Sequence, residues 1–342
     1  MVRFRMLKAN ELRWETLDQF QDRVVFQTRD WLNFLAESQR GTPVIAEICD
    51  DEAVVGYFSG LIVRKFGVRI LGSSFPGWTT PYIGFNVVPG YSRSQLLEPL
   101  TAWAFRELKC LHVEVSDRCF QPEDGAGRLD RTAYETYKSD LTRSEDDLFK
   151  GMDSACRRCI RKAERSGVTI EEARDLEFAD EYYEQLKDVF AKQGKVPTYP
   201  VERVRLLLKH MLPTGHLLAV RARNADGRCI ATGLYPGMND TAFFWGNASW
   251  RTEQHWRPNE YLHWYALRYW KARGAKLFDW GGGGTYKEKY GVEPYVVPWF
   301  YKSKYRVIST VRNEARALYY KSQRLIGRLH GVGARPAVAA AE

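Results

Sequence analysis

The 342-residue sequence has no uncharged apolar run that approaches the length of a membrane-spanning helix. The basic residues at its start, Met1 to Lys8, are not followed by the apolar segment that a secretory signal requires. Its six cysteines are few and scattered, which is typical of proteins in a reducing compartment. We therefore expect a cytoplasmic protein without stable membrane insertion.

Motifs for metal chemistry are also missing. No His-Glu-x-x-His sequence occurs, and the close cysteine pair, Cys156 and Cys159, has neither a second pair nor paired histidines to complete a zinc site. The sequence therefore predicts no bound metal and no permanently bound cofactor. Two thiols one helical turn apart favour a structural role for this pair.

Nucleotide-binding and hydrolase motifs are absent as well. The sequence contains no Gly-x-x-x-x-Gly-Lys-Ser/Thr loop and no Gly-x-Gly-x-x-Gly fingerprint that opens a helix. It also lacks a Gly-x-Ser-x-Gly nucleophile elbow. A carboxylate pair for glycoside cleavage stays open as an alternative, because the distance between two carboxylates cannot be read from a sequence.

The sequence is rich in positive charge and in aromatic residues. Its formal net charge is +9, and it contains 11 Trp and 19 Tyr. A basic chain is compatible with a polyanionic partner such as RNA, with an anionic membrane surface, and with a basic soluble enzyme. Charge alone therefore does not choose among these classes.

The predicted helices and strands follow a similar order in the two halves of the chain. In the first half, three strands (44–48, 53–63 and 68–71) precede a helix at 92–109 and a strand at 111–115. In the second half, capped helices precede three strands, a helix that opens at Pro258, and a strand at 277–279. The pattern predicts an α/β (α+β) fold with two tandem domains, each a mixed, mostly antiparallel sheet flanked by helices.

Domain boundaries follow from this repetition. We expect an N-terminal domain over residues 1–142 and a C-terminal domain over residues 143–305. A basic helix over residues 306–330 is predicted to pack back on the body, and residues 331–342 are predicted to be a disordered tail.

One predicted helix, which begins after Asp153, is strongly basic. Spacings of three and four residues place its cations on adjoining faces, and these cations are Arg157, Arg158, Arg161, Lys162 and Arg165. Two interpretations stay open. The cations contact the phosphates of a partner, or they form a solvated face with local acids such as Glu164 and Glu171.

The most informative segment is a strand that leads into four glycines. Phe278-Asp279-Trp280 precedes Gly281 to Gly284, and Tyr286-Lys287 follows. A loop without side chains lets an ester or thioester carbonyl approach a cation, so the segment predicts acyl transfer with Gly283 and Gly284 beside the substrate. An ammonium beside the loop, from one of the two lysines that follow it, would stabilise the charge on the attacked carbonyl oxygen. Asp279 is either a helper in proton transfer or a structural residue at a strand end.

Aromatic residues elsewhere are candidates for the walls of an acceptor site. Trp78 and Tyr82 lie in a loop rich in proline and glycine, and Tyr199 and Trp245 belong to the second half. Each of the four is also compatible with ordinary packing.

These segments together resemble the Fem-type branch of the GNAT acyltransferase superfamily and its relatives with a BioF-like acetyltransferase domain. The similar segments are the basic stretch Arg158 to Val168, the helix that opens at Pro258-Asn259 and closes at Gly274, and the Phe278 to Gly281 segment followed by Tyr286-Lys287 and Tyr290-Gly291. Their order and spacing match over the second half, and the first half matches in its element order.

The resemblance implies two GNAT-like domains with a substrate channel between them, and transfer of an acyl group to an amine. In Fem-type enzymes the donor is aminoacyl-tRNA and the acceptor is a peptidoglycan precursor or another amine, whereas in the related acetyltransferases the donor is an acyl-CoA. Tyr286-Lys287 falls where the family has an aromatic residue followed by its important lysine. The resemblance therefore implies that Lys287 is catalytic and Tyr286 lies beside it.

Two departures from the family bear on the donor. The sequence lacks the Gln/Arg-x-x-Gly-x-Gly/Ala loop of simple GNAT enzymes, which weakens the case for acyl-CoA. It also lacks a heptad-patterned helical hairpin, so contact with tRNA would fall to the Arg157 to Arg165 helix or to the terminal helix. We therefore place aminoacyl-tRNA ahead of acyl-CoA. A non-catalytic protein that binds RNA or an envelope precursor on the same scaffold is a further alternative.

Overall fold

The computed structural model describes residues 1–309 except residues 66, 76, 126 and 193. The predicted helix of residues 306–330 lies almost wholly outside these residues, and the predicted tail of residues 331–342 lies outside them entirely. The strands β1 to β14 are Val2–Met6, Thr42–Asp50, Ala53–Lys65, Val68–Gly72, Gly84–Val87, His112–Ser116, Asp130–Asp140, Thr169–Glu172, Leu217–Arg223, Cys229–Met238, Thr241–Phe243, Gly246–Ser249, Leu277–Asp279 and Glu293–Ser303. The α-helices α1 to α8 are Trp14–Asp18, Arg29–Gln39, Leu97–Arg106, Glu145–Gly151, Ser154–Arg165, Phe178–Lys192, Val201–Met211 and Pro258–Ala272.

The strands form one continuous sheet. Its order is β1-β2-β3-β4-β6-β14-β7-β13-β11-β10-β9-β8, with β5 paired to β3 and β12 paired to β10. Neighbouring strands are parallel at β4–β6 and at β11–β13, and the other described pairs are antiparallel. The predicted fold class, a mixed and mostly antiparallel sheet flanked by helices, is therefore confirmed.

Most of the predicted elements occur where the sequence placed them. The meander of the first half is β2, β3 and β4, and the helix predicted to open at Pro258 is α8. The side chain of Ser144 accepts a hydrogen bond from the backbone N–H of Asp147 at the start of α4, and Asp153 caps α5 through the N–H of Cys156. These side-chain oxygens satisfy N–H groups that the first helical turn leaves free, which fixes where each helix begins.

The two halves of the chain are joined by β7 and β14, which the sequence did not predict. Strand β14 pairs with β6 on one side and with β7 on the other, and β7 in turn pairs with β13. The last described strand of the chain therefore lies in the middle of the sheet. It crosses from the predicted C-terminal range to strands of the N-terminal range, and the boundary at residue 142 stays a prediction.

A shared apolar core fills the space between the halves. The rings of Phe26 and Phe243, one from each half, meet edge to face with their centroids 5.0 Å apart. The same buried cluster contains Trp31 and Tyr82 from the first half and Trp245 from the second. Burial of large aromatic surfaces is a strong stabilising contribution, so this core holds the loops of both halves in a fixed relation.

No helix among the described residues has the length and apolarity that a membrane span requires. Within the same residues, no group of three or more His, Cys, Asp or Glu side chains is arranged to hold a metal ion. Cys156 is buried and Cys159 is half-buried, and both are free thiols.

Candidate functional site

Strand β13 ends at Asp279, a carboxylate that is 1% exposed. One of its oxygens accepts hydrogen bonds from the hydroxyls of Tyr82, at 2.9 Å, and of Tyr295. The other oxygen accepts from the hydroxyl of Thr136, at 3.3 Å, and from the N–H of Gly281, at 2.8 Å. Burial raises the pKa of Asp279, although its hydrogen bonds act in the opposite direction.

The glycine loop of residues 281–284 follows directly, and a 3-10 helix at Thr285–Tyr290 returns the chain to the site. Lys287, in this short helix, is 2% exposed and lies beneath the loop. Its ammonium donates to three consecutive backbone carbonyls: that of Trp280 at 2.7 Å, that of Gly281, and that of Gly282 at 2.8 Å. A lysine has three N–H donors, so all of them are used by the loop.

The electrostatic setting of Lys287 is unusual for a lysine. Burial lowers its pKa to about 8, and the nearby charge of Asp279 acts against this shift. Its nitrogen lies 5.6 Å from the ring centroid of Phe244, which offers the ammonium a cation–π contact. A cation and a carboxylate are therefore fixed below an exposed stretch of backbone.

Gly281 needs to be glycine at this position. Its φ is +55°, and a Cβ atom there would lie 2.7 Å from the ring of Phe243. The neighbouring aromatic residue on the other side of the loop, Tyr286, is 53% exposed, so its ring is available to a ligand.

The structure divides the four predicted wall residues between two clusters. Tyr82 reaches Asp279, as described above, whereas Trp78, Tyr199 and Trp245 surround Arg203. The guanidinium carbon of Arg203 lies 5.2 Å from the ring centroid of Tyr199 and 5.9 Å from that of Trp245. Its Nη2 donates to the backbone carbonyl of Trp78. The loop that carries Trp78 and Tyr82 is therefore bound at both of its ends.

Arg203 is a functional candidate that the sequence reasoning missed. It is 5% exposed, and burial lowers its pKa to about 10. No described carboxylate forms an ion pair with it. A signal was present in the sequence, because Arg203 lies four residues before Leu207 and shares the apolar face of α7 with it. Tyr295 and Thr136 were missed because the strands that contain them, β14 and β7, were not predicted.

The basic helix α5 lies against the glycine-loop segment. The backbone N–H of Asp153, its cap, donates to the carbonyl of Lys289 at 2.9 Å. Four of the predicted phosphate contacts, Arg158, Arg161, Lys162 and Arg165, are exposed, and Arg157 is half-buried with its guanidinium bonded to the carbonyls of Lys150 and Met152.

Neither predicted acidic partner of this helix, Glu164 or Glu171, forms an ion pair with its cations among the described residues. Glu171 forms ion pairs with Arg221 and Arg223 on β9, and none of the five cations of α5 forms an ion pair with a described residue. Among the described residues, the cations of α5 therefore lack local ion pairs, and their contact with a phosphate-bearing partner stays a prediction.

Comparison with known proteins finds a family match within the second half of the chain. The profile of the acetyltransferase (GNAT) domain family matches residues 152–295, which include α5, the glycine loop and Lys287. No curated protein matches the sequence. The resemblance inferred from the motifs is thus confirmed, and the chain carries a GNAT-type acyltransferase domain.

Solved structures extend the similarity over nearly the whole chain. A crystal structure of FemX superposes with a TM-score of 0.68 at 12% identity and covers 86% of this chain and 96% of its own. A domain of a putative lysylphosphatidylglycerol synthetase from Agrobacterium fabrum gives 0.52 at 10% identity, covering 80% and 87%. A tandem GNAT protein from the clavulanic acid biosynthesis pathway gives 0.50 at 14% identity, covering 89% and 98%. At these identities the likeness shows a shared fold.

Proposed function

Starting from a chain with a GNAT acetyltransferase domain at residues 152–295, we propose that it forms an amide bond at the glycine loop. In this proposal an aminoacyl group moves from aminoacyl-tRNA to the amine of a cell-wall precursor or a similar small molecule. The observation that carries the proposal is the buried ammonium of Lys287 beneath an exposed loop that has no side chains.

The chemistry requires a place where negative charge can develop. The lone pair of the acceptor amine attacks the carbonyl carbon of the ester, the C–N bond forms, and the π electrons move to the carbonyl oxygen. The C–O bond to the tRNA then breaks as the carbonyl returns, and the nitrogen releases a proton to the departing oxygen or to water. Fixed positive charge beside that oxygen is typically the largest contribution to such a reaction.

The surrounding residues take roles that follow from their positions. Lys287 supplies the positive charge, Gly283 and Gly284 leave room for the reacting carbonyl, and the exposed ring of Tyr286 packs against the bound acyl group or the acceptor. Asp279 acts as a buried anchor rather than as a base, because hydrogen-bond donors contact both of its oxygens. Water or the leaving group then takes the proton from the amine.

Unpaired charge on α5 supports a donor that carries phosphates. Its exposed cations lie on the helix that packs against the glycine-loop segment. A tRNA whose phosphates bind these cations would therefore carry its acyl group close to the loop. The two aromatic clusters, around Asp279 and around Arg203, are the proposed walls of the acceptor site.

Acyl-CoA is the alternative donor. The match to the GNAT acetyltransferase domain supports it, because acyl-CoA is the usual donor of acetyltransferases. The absence of the Gln/Arg-x-x-Gly-x-Gly/Ala loop from the sequence favours aminoacyl-tRNA. Both donors would undergo the same acyl transfer, but the basic surface would bind tRNA in one case and coenzyme A in the other.

Mass spectrometry of products tests the proposal. The protein is incubated with charged tRNA or with acyl-CoA in the presence of a panel of amines, and each acceptor is examined for a gain in mass. The proposal expects an aminoacylated amine from charged tRNA. A product from acyl-CoA alone would reassign the donor, and binding of either donor without any product would favour a non-catalytic role on this scaffold. Calorimetric titration with each donor measures its binding affinity separately from product formation.

A further inference from the structure

The carbonyl groups and the N–H groups of the glycine loop differ in their hydrogen-bond partners. The carbonyls of Trp280, Gly281 and Gly282 accept hydrogen bonds from Lys287 beneath the loop. The backbone N–H groups of Gly282, Gly283 and Gly284 donate to no acceptor among the residues that the structure describes, and Gly282 and Gly283 are exposed. Acceptors therefore point inward to the cation, and three successive donors are left unpaired.

The backbone at two of the three unpaired donors adopts conformations that favour glycine. Gly282 has a φ of +60°, Gly283 is not in the positive-φ region, and Gly284 has a φ of +153°. Successive backbone N–H groups in a turn of the chain form a concave arrangement that binds anions. Glycine is the residue that adopts such positive φ values without strain.

We propose that the N–H groups of Gly282, Gly283 and Gly284 contact the oxygen that becomes negative during transfer, and that Lys287 is a positioning residue which holds them in place. This inference rests on the proposed function and refines it. In the transfer step the π electrons of the donor carbonyl move to its oxygen, and the backbone N–H groups stabilise that charge until the leaving group departs.

The ammonium of Lys287 is not free to make this contact itself. Its three donors already have three carbonyl partners, and the side chain is 2% exposed. A direct bond to the substrate would leave one of these carbonyls without its donor, which is unfavourable.

The lysine still contributes its charge through the peptide groups. A cation bonded to a peptide carbonyl polarises that peptide group, and hydrogen bonds arranged in series strengthen one another by roughly 10–30%. The charge therefore strengthens the N–H donors of Gly282 and Gly283, which share peptide groups with the bonded carbonyls of Gly281 and Gly282.

Substitution at Gly283 tests the proposal, because alanine keeps the backbone N–H and proline removes it. A Cβ atom at Gly283 would meet only the carbonyl oxygen of Glu135, at 3.7 Å, which is an ordinary contact. Loss of one such donor lowers kcat by roughly 100-fold to 1000-fold. We expect the kcat of Gly283→Pro to lie below that of Gly283→Ala by this factor, because both variants add a Cβ atom and only proline lacks the backbone N–H.

Equal kcat values for the two variants would overturn the inference while leaving the proposed function intact. If the wild type forms no product from any donor, it is the proposed function that fails.

A second measurement does not depend on the proline variant folding. Glycine amides labelled with 15N are followed by NMR while inorganic phosphate is added as an oxyanion probe to the full chain. Phosphate should shift the amide signals of Gly282 to Gly284 in the wild type and in Lys289→Met, and should leave them unmoved in Lys287→Met. Wild-type signals that do not respond, or respond equally in Lys287→Met, would contradict the proposal.

Discussion

Asp279 and Lys287 hold the same residue from opposite sides. The carboxylate of Asp279 accepts the N–H of Gly281 at 2.8 Å, and the ammonium of Lys287 donates to the carbonyl of Gly281. Because the carboxylate is also bonded to Tyr82 and Tyr295, the geometry of the glycine loop is tied to a loop of the first half and to strand β14. The loop is therefore connected through hydrogen bonds to both halves of the chain.

Asp279→Asn should change how stability depends on pH. Burial raises the pKa of Asp279 in the folded state, so the folded protein holds this proton more tightly than the unfolded chain. Its contribution to stability is then largest below the unfolded pKa and is lost as the pH rises through the folded pKa. As the pH rises from about 4, the free energy of unfolding of Asp279→Asn should therefore increase relative to that of the wild type.

Urea unfolding of both proteins at a series of pH values measures the difference. A difference that stays constant with pH, or that moves in the opposite direction, would show that Asp279 is not held in this way.

Tyr82→Phe should loosen the contact between the first half and the glycine loop. It removes the hydroxyl that donates to Asp279 at 2.9 Å from a fully buried site. A hydrogen bond to a charged group contributes roughly 1.5–3 kcal/mol. Tyr91→Phe is the matched control, because its hydroxyl donates to Asp50 at 3.0 Å near the surface, and it should cost less than about 1 kcal/mol. Chemical unfolding of the two variants should rank them in this order, and the reverse order would contradict it.

The pH profile of transfer should carry the signature of Lys287. Its pKa is lowered to about 8, so the ammonium loses a proton above that pH and the loop loses one of its donors. The wild-type rate should therefore fall as the pH rises through this value. Lys287→Arg stays protonated, but its planar guanidinium cannot reproduce the three donor directions of an ammonium.

We expect Lys287→Arg to have a lower maximum rate and no decline near the pKa of the lysine. Profiles of kcat/KM against pH, measured with the same donor and acceptor, make the comparison. The same decline in both proteins would assign it to another group.

Charge reversal on α5 should weaken donor binding. Arg158 and Lys162 are exposed and lie one turn apart, so Arg158→Glu/Lys162→Glu removes two cations from one face. If both contact phosphates, the slope of log Kd against log salt should decrease by about 1.5–2. The control is Arg64→Glu/Lys65→Glu, which makes the same change in charge at the exposed end of β3. Equal effects of the two double variants would indicate nonspecific attraction.

Much of the fold could be predicted because its signals are local. The meander β2–β3–β4 has alternating or continuous apolar runs separated by turn residues, and Ser144 and Asp153 mark the starts of helices. Strands β7 and β14 gave no comparable signal. Strand β14 contains Pro294 and Pro298, which usually argue against a strand, and its partners lie far away in the chain.

The candidate site was predictable in its composition but not in its geometry. The strand, the glycines and Tyr286-Lys287 are contiguous, so the sequence could point to them. Which way Lys287 points depends on the 3-10 helix that turns it beneath the loop, and the bonds of Asp279 come from three separate segments. Arg203 could be inferred only from an arginine on an apolar helix face.

The most direct measurement is the rate of amide formation by Lys287→Met beside Lys289→Met, followed by mass spectrometry of the product. Both lysines belong to the same 3-10 helix, but Lys289 pairs with Glu260 at 2.6 Å, whereas Lys287 holds the glycine loop. The account predicts product from the wild type and from Lys289→Met at similar rates, and a rate at least about 100-fold lower from folded Lys287→Met. Similar rates from all three proteins would contradict it.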